Sequence, residues 1–444
     1  MEPNSAPVAH TERITAIDTV RGFALLGILL MNIVAFAMYL PAYDNPTVTG
    51  GATGPNLAVW AVLHVLAEGK MRCLFSLVFG ASMILLTSRL ENTGDAADIY
   101  YRRLLWLGAF GIAHAYLLWL GDILYPYALC GLLLYPFRKI APKGLLTIGA
   151  VLLLMTAAAY MQDAFSQKET VEKARAAQAA AARGEKLTKE QQDQKDDYER
   201  HEKERLPDAA ELQKDGAKWR GSVLAVLKVR AGIVSDIHST RYYSFHNWDI
   251  WSMMFIGMGL MKLGVLGGRS SVRAYAWMAI AGYAIGLPLN IYTAYIIIRA
   301  NFEPVVQTFS AVTYDVGRLS IAFGHLGIIM LLCKTKTMQW LTNSLGAVGQ
   351  MAFSNYIMHS VVCAFLFTGY GFAMYGRLQR YQVYYVVAAI WIFQMIASPI
   401  WLRHFRFGPL EWGWRSLTYW KKQPMRLRQP AVDLTPEISS GASA

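Results

Sequence analysis

The chain is short of charge, of cysteine and of any signature of a soluble enzyme. Asp, Glu, Lys and Arg make up 16% of its 444 residues, against about 25% in an ordinary soluble domain. Many of these charges are gathered between Ala164 and Arg220, so the remainder is poorer still. A soluble core protein of this length is not written this way. The four cysteines (Cys73, Cys130, Cys333 and Cys363) lie in or beside apolar runs, with no Cys-x-x-Cys pair. No disulfide framework follows, and with no His-x-x-x-His pair either, no metal site is expected. A Gly-x-Ser-x-Gly elbow and a phosphate-cradling Gly-x-x-x-x-Gly-Lys-Ser/Thr loop are both missing. So is a clean cleavage site after the first apolar run, which reads as an uncleaved span rather than a leader.

The formal net charge of +12 sits largely in short loops beside apolar runs, which is the positive-inside bias of membrane proteins. No basic stripe is interleaved with stacking aromatics, so nucleic acid is not an expected partner.

What is present is apolar sequence, 55% of the chain, in runs close to the roughly 20 residues that cross a bilayer. Ten such runs predict an all-α polytopic membrane protein of about ten transmembrane helices. They cover 16–40, 71–88, 104–120, 123–137, 144–161, 248–266, 274–298, 309–333, 348–369 and 384–402. A polar helical insertion, which Pro207 divides, falls between spans five and six. The domains are then an N-terminal membrane half (1–162), the soluble insertion (163–245), a C-terminal membrane half (246–402) and a basic, aromatic cytoplasmic tail (403–444). An even span count and basic loops on the side of the tail put both termini in the cytoplasm and the insertion in the periplasm of a bacterial inner membrane.

Polar groups stand where lipid would otherwise be. The first span carries Asp18, Arg21 and Asn32 near one helical side. A charge at mid-membrane costs about 2.5–3.5 kcal/mol on insertion scales, so this stripe faces helices or a wet cavity. Span three carries His114, with Asp122 just beyond it. Asp315, Arg318 and His325 share a face of span eight, and Asn355 and His359 one of span nine. His246-Asn247-Trp248-Asp249 precedes span six, and Arg72 opens span two. As a site, His114 or His359 is the catalytic base, oriented by Asp122 or Asp315. Asp18, Arg21, Asn32, Arg72, Arg318 and Asn355 are the candidate substrate-binding groups. The competing reading makes Asp18–Arg21 and Asp315–Arg318 internal ion pairs that fix packing. His64 and His325 read as packing groups.

Four stretches together resemble the YeiB family of bacterial membrane proteins (domain of unknown function 418). They are Asp18 with Arg21-Gly22-Phe23-Ala24-Leu25-Leu26-Gly27-Ile28 after Arg13-Ile14; Glu68-Gly69-Lys70-Met71-Arg72 with Leu74 to Gly80; His114-Ala115 with Leu118-Trp119 and Gly121-Asp122-Ile123-Leu124; and Ser354-Asn355-Tyr356 with Phe405 to Trp412 and Arg415 to Tyr419. The resemblance implies an integral inner-membrane protein. The Asp-x-x-Arg-Gly opening also looks like that of membrane acyltransferases of the heparan-alpha-glucosaminide N-acetyltransferase type, which move an acyl group from a cytosolic donor using a histidine.

The resulting expectation is a membrane acyltransferase with no permanently bound cofactor and acyl-coenzyme A as donor. Its partners are the lipid bilayer and a small-molecule, glycan or lipid acceptor, with room for a homo-oligomer. The same polar stripes suit a proton-coupled transporter of a small solute. A third reading is a membrane scaffold or sensor working through the insertion.

Overall fold

Helix α1 (Thr15–Ala37) is the axis of the molecule. In the computed structural model, which describes residues 15–49, 51–91, 94–240 and 248–427, 67% of its apolar window is buried. His246, Asn247 and the Arg13-Ile14 lead-in lie outside the described residues. The chain then makes α2 (Gly54–Leu66) and α3 (Lys70–Leu90), jointed at Gly69, whose φ of 71° is left-handed. Next come α4 (Ala96–Leu117) and the short α5 (Leu124–Leu132). The fold is all-α: among the described residues the strand-like pairing is one isolated bridge, Phe405 with Arg426.

Helix α6 (Pro142–Ala182) has 41 residues, about 61 Å at 1.5 Å per residue. Its apolar first half, long enough to cross a membrane, runs unbroken into the polar insertion, so the expected boundary at 162/163 falls inside one helix. Gly184 (φ 77°) turns the chain back into α7 (Lys189–Arg205). Pro207 separates α7 from α8 (Ala209–Trp219), and α9 (Val223–Ser239) follows. The starts are written in the sequence: Thr188 with Gln191, and Asp208 with Glu211, form reciprocal capping boxes. The insertion is pinned back onto the membrane region by buried Arg230, whose Nη1 donates to Leu117 O (2.6 Å) and Tyr370 Oη (2.8 Å).

The second half comprises α10 (Trp248–Lys262), α11 (Val272–Arg299), α12 (Pro304–Ala311), α13 (Tyr314–Thr335), α14 (Gln339–Gln350), α15 (Ala352–Phe367), α16 (Arg380–Leu402) and α17 (Pro409–Tyr419). Six helical segments are long and apolar enough to cross a membrane: α1, α2 with α3, α6, α11, α13 and α16. A seventh is gained if α14 and α15, bent by 81° at Met351, are one broken span. The expected count of ten is not reached by this measure. Helix α5 has 9 residues and α10 has 15, and 15 residues cover only about 22 Å of a roughly 30 Å hydrocarbon core. Helix α4 opens on Asp98, Arg102 and Arg103.

Helix α1 meets α14 at backbone distance: a Cβ on Gly22 would strike Leu345 O, and one on Gly349 would strike Asp18 O. Helices α3 and α10 do the same through Gly80 and Gly257. These contacts hold α1, α3 and α10 at the centre, while α6, with 17% of its apolar window buried, lies at the rim.

Candidate functional site

Two cavities lie at opposite ends of the bundle, and α3 lines both. The first, about 530 Å³, opens at the end bearing the chain's basic loops and tail helix. Four arginines line it: Arg21, Arg89, Arg103 and Arg415, against Asp18 and Glu411. Its deeper wall is apolar, including Phe75, Val78, Leu107, Ile123 and Tyr356. Arg89 and Phe75 stand fourteen residues apart on α3, so the cavity is about 21 Å deep along that helix.

The predicted pair Asp18–Arg21 is here, at 2.5 Å. Arg21 also donates to Ser82 Oγ (3.0 Å) and Gly349 O (3.3 Å), so it ties α1 to α3 and α14 while facing the cavity. Glu411 accepts the N–H groups of Phe353 (2.6 Å) and Ser354 (3.1 Å) and the Ser354 hydroxyl (2.5 Å). It thereby caps α15 at the 81° break, because the first N–H groups of a helix have no partner within it. The Phe407-Gly408-Pro409-Leu410-Glu411-Trp412 segment is thus a helix cap and a cavity wall.

The second cavity, about 330 Å³, opens toward the insertion. Its lining mixes aromatics (Tyr43, Trp60, Tyr314), neutral polar groups (Asn290, Thr293, Gln307) and charges (Asp44, Glu68, Arg72, Arg380). Helix α12 forms one wall and is held by the insertion: Arg175 pairs with Glu303 (3.1 Å), and Arg205 donates to Phe302 O (3.2 Å). His64 faces this cavity. Its Nδ1 is 2.9 Å from Glu68 Oε2, and its ring stacks on Trp60 at 4.9 Å and 17°. Nearby, fully buried Lys70 donates to His64 O at 2.6 Å.

Between the cavities lies a charged septum. Arg72 lines the second cavity and Phe75, one turn on, lines the first. Arg72 Nη2 donates to Asp249 Oδ2 (2.8 Å), which also accepts from Arg318 Nη1 (2.6 Å). Arg318 Nη2 stands 2.7 Å from Asp315 Oδ1, a Coulombic contact without the alignment of a hydrogen bond. The network pairs two arginines with two carboxylates, which is how charge is tolerated at this depth. Tyr127 seals the first cavity against it, with its hydroxyl 2.5 Å from Ser76 Oγ.

The other predicted residues lie elsewhere. His114 is buried, with Nδ1 2.7 Å from Asp122 Oδ1 and Nε2 2.8 Å from Ser360 Oγ. This pairing joins the two residues the sequence set eight apart, but neither lines a cavity. Tyr356, its ring 5.1 Å from the His114 ring, stands between them and the first cavity. His359 bonds Gln394 (2.9 Å), and Asn355 bonds Ser398 Oγ and Val348 O, both at 3.1 Å. His359 and Asp315 are not brought into contact with one another. Asn32 is half-buried and lines neither cavity. His325 joins Tyr283 Oη and Leu66 O across helices, as a packing group does.

Sequence reasoning passed over His64 as a packing group and did not single out Glu68 for a role. Their spacing of four puts them on one helical face, a signal that was present in the chain. The arginine set around the first cavity had no such signal, because it is assembled from four separate elements. Among the described residues, no three His, Cys, Asp or Glu side chains converge as a metal would require.

An all-helical bundle with a charged septum between two opposed cavities defines a polytopic membrane protein with a polar interior. Residues 260–421 match the family described as Protein of unknown function (DUF418). Over 94% of this chain and 97% of the relative, it is 30% identical to "Uncharacterized protein YxaH" of Bacillus subtilis (strain 168). It is 29% identical to "Uncharacterized protein YeiB" of Escherichia coli (strain K12), over 96% and 99%. The chain belongs to the DUF418 family, alongside YxaH and YeiB. No solved structure matches it. These descriptions name no activity, so function is argued from the site.

Proposed function

We infer that the protein is a membrane acyltransferase, moving an acyl group from a donor in the arginine-lined cavity to an acceptor in the cavity beneath the insertion. The observation that carries this is the pair of unlike cavities one helical turn apart on α3. The basic loops and tail favour an arginine-lined end facing the cytoplasm of a bacterial inner membrane, with the insertion in the periplasm.

The cytoplasmic cavity suits acyl-coenzyme A. Arg89, Arg103 and Arg415 meet its phosphates as charge-assisted donors. The apolar wall receives the arm and acyl chain, and brings the thioester to Phe75 and Tyr127. Arg72, one turn above and paired with Asp249, stands on the outer-cavity side of the septum. The two linings differ in kind: one is apolar and arginine-rich, the other aromatic with neutral polar groups and charges of both signs.

The test is thermal stability of the purified protein with acyl-coenzyme A. A ligand that binds only the folded state stabilises it by about 2.7 kcal/mol at a hundred times its Kd. Arg89→Ala and Arg103→Ala should each weaken the effect about tenfold, since a hydrogen bond to a charged group contributes roughly 1.5–3 kcal/mol. No stabilisation at saturating donor would rule the reading out.

A further inference from the structure

We propose that the arginine-lined cavity is a ruler for the donor: Arg21 and Gln350 hold an amide of its pantetheine arm halfway down, and a floor of Phe75, Phe79 and Tyr127 admits only a short acyl group. The assignment rests on the acyl-transfer reading above and adds to it the donor's chain length and the residues that set it.

Depth sets the limit. Arg89 at the mouth and Phe75 at the floor lie fourteen residues apart on α3, which is about 21 Å. From phosphate to sulfur, the arm of coenzyme A is a chain of about thirteen bonds. At about 1.1–1.2 Å per bond, the reach of an extended backbone, it spans about 15 Å. With the phosphates at the mouth, about 6 Å remain beyond the sulfur, room for about four carbons.

The floor is braced from behind. Tyr127 is 1% exposed, and its hydroxyl lies 2.5 Å from Ser76 Oγ, which donates to Arg72 O at 2.9 Å. Its ring packs against Phe79 at 5.2 Å and Phe75 at 5.8 Å. Behind them stands the ion pair of Arg72 with Asp249. A longer chain would have to push into that charged network, which apolar carbon cannot replace partner for partner.

The middle of the cavity is polar. Arg21 donates to Ser82 Oγ at 3.0 Å, and Ser82 stands seven residues below Arg89 on α3, about 10 Å down. Gly349 O accepts from Arg21 at 3.3 Å, so the next residue, Gln350, is on the wall at the same level. Arg21 spends three of its five N–H groups on Asp18, Gly349 and Ser82. Gln350 Oε1 is without a hydrogen-bond partner among the described residues, an orphan that calls for an explanation. The second amide of the arm lies about nine to ten bonds from the phosphate, about 11 Å. It arrives at this level with a carbonyl and an N–H for Arg21 and Gln350 to take up. A hydrocarbon tail brings neither.

The experiment measures thermal shift of the purified full chain in detergent against ligand concentration. Acetyl- and butyryl-coenzyme A should stabilise wild type alike, and octanoyl-coenzyme A should bind at least tenfold more weakly. Phe75→Ala should bind octanoyl- and acetyl-coenzyme A about equally; Phe79→Leu, a smaller change to the same floor, replaces it if the alanine variant does not fold. Gln350→Leu should weaken acetyl-coenzyme A about two- to tenfold, the worth of one hydrogen bond. Its affinity for adenosine 3′,5′-bisphosphate, which has the phosphates without the arm, should be unchanged. Equal binding of acetyl- and octanoyl-coenzyme A by wild type, or continued exclusion of octanoyl by the opened floor, would overturn the length limit. Unchanged acetyl-coenzyme A binding by Gln350→Leu, or an equal loss for the bisphosphate, would overturn the amide contact. Either failure leaves the acyl-transfer reading standing, whereas no shift with any coenzyme A ester removes both.

Discussion

Arg318 shows how single residues are constrained here. Its side chain is 1% exposed and faces Asp249 and Asp315. Spacing along the chain predicts its neighbour Asp315, three residues earlier, but not Asp249 and Arg72, which arrive from α10 and α3. Removing one member of a buried network leaves an uncompensated charge, at a cost of about 3–5 kcal/mol. Arg318→Met should therefore lower the melting temperature in detergent sharply. Adding Asp315→Asn to that variant restores charge balance and should recover part of the loss. A single variant that melts like wild type would show the network to be dispensable for folding.

Elements are positioned by glycine contacts and by one long-range cap. Gly22, inside the Arg-Gly-Phe opening, lets α1 touch the backbone of α14. Gly22→Ala forces a Cβ into a carbonyl oxygen, and overpacking of this kind costs about 1–3 kcal/mol; reduced thermal stability and poorer yield should both be seen. At the other junction Glu411 satisfies the first turn of α15. Glu411→Ala leaves those buried N–H groups unpaired, a penalty of about 1–3 kcal/mol. Amide hydrogen exchange at Phe353 and Ser354 should accelerate in that variant, and unchanged protection would mean another group takes over the cap.

For the whole molecule, the basic loops and α17 gather at one end and the insertion at the other. Lys139 lies 3.9 Å from Glu91, and Lys262 donates to Ile140 O at 2.7 Å, which groups the ends of α3, α6 and α10 with the tail. The native cysteines are buried or half-buried, so introduced ones report cleanly. In intact spheroplasts, Glu199→Cys should react with a membrane-impermeant maleimide, and Lys421→Cys only after permeabilisation. The reverse pattern would invert the orientation, and with it which cavity faces the donor.

The amino-acid sequence by itself determined the all-helical membrane class, the family, the polar groups inside apolar runs, and the helical insertion with its break at Pro207. Each is a local property: hydropathy, capping boxes and charge spacing act within a few turns of chain. A spacing of three also made the Asp315–Arg318 pairing readable, whereas the partner of His114 stayed open between Asp122 and Asp315. Only the tertiary structure decided the rest. Run length counted α4, α5 and α10 as spans, and helix length and hydropathy by themselves do not reach that count of ten. The two cavities, the four-arginine lining and the exposure of His64 but not His114 arise where separate helices meet. Those meetings are set by backbone contacts at Gly22, Gly80, Gly257 and Gly349, which no periodicity within one helix reveals.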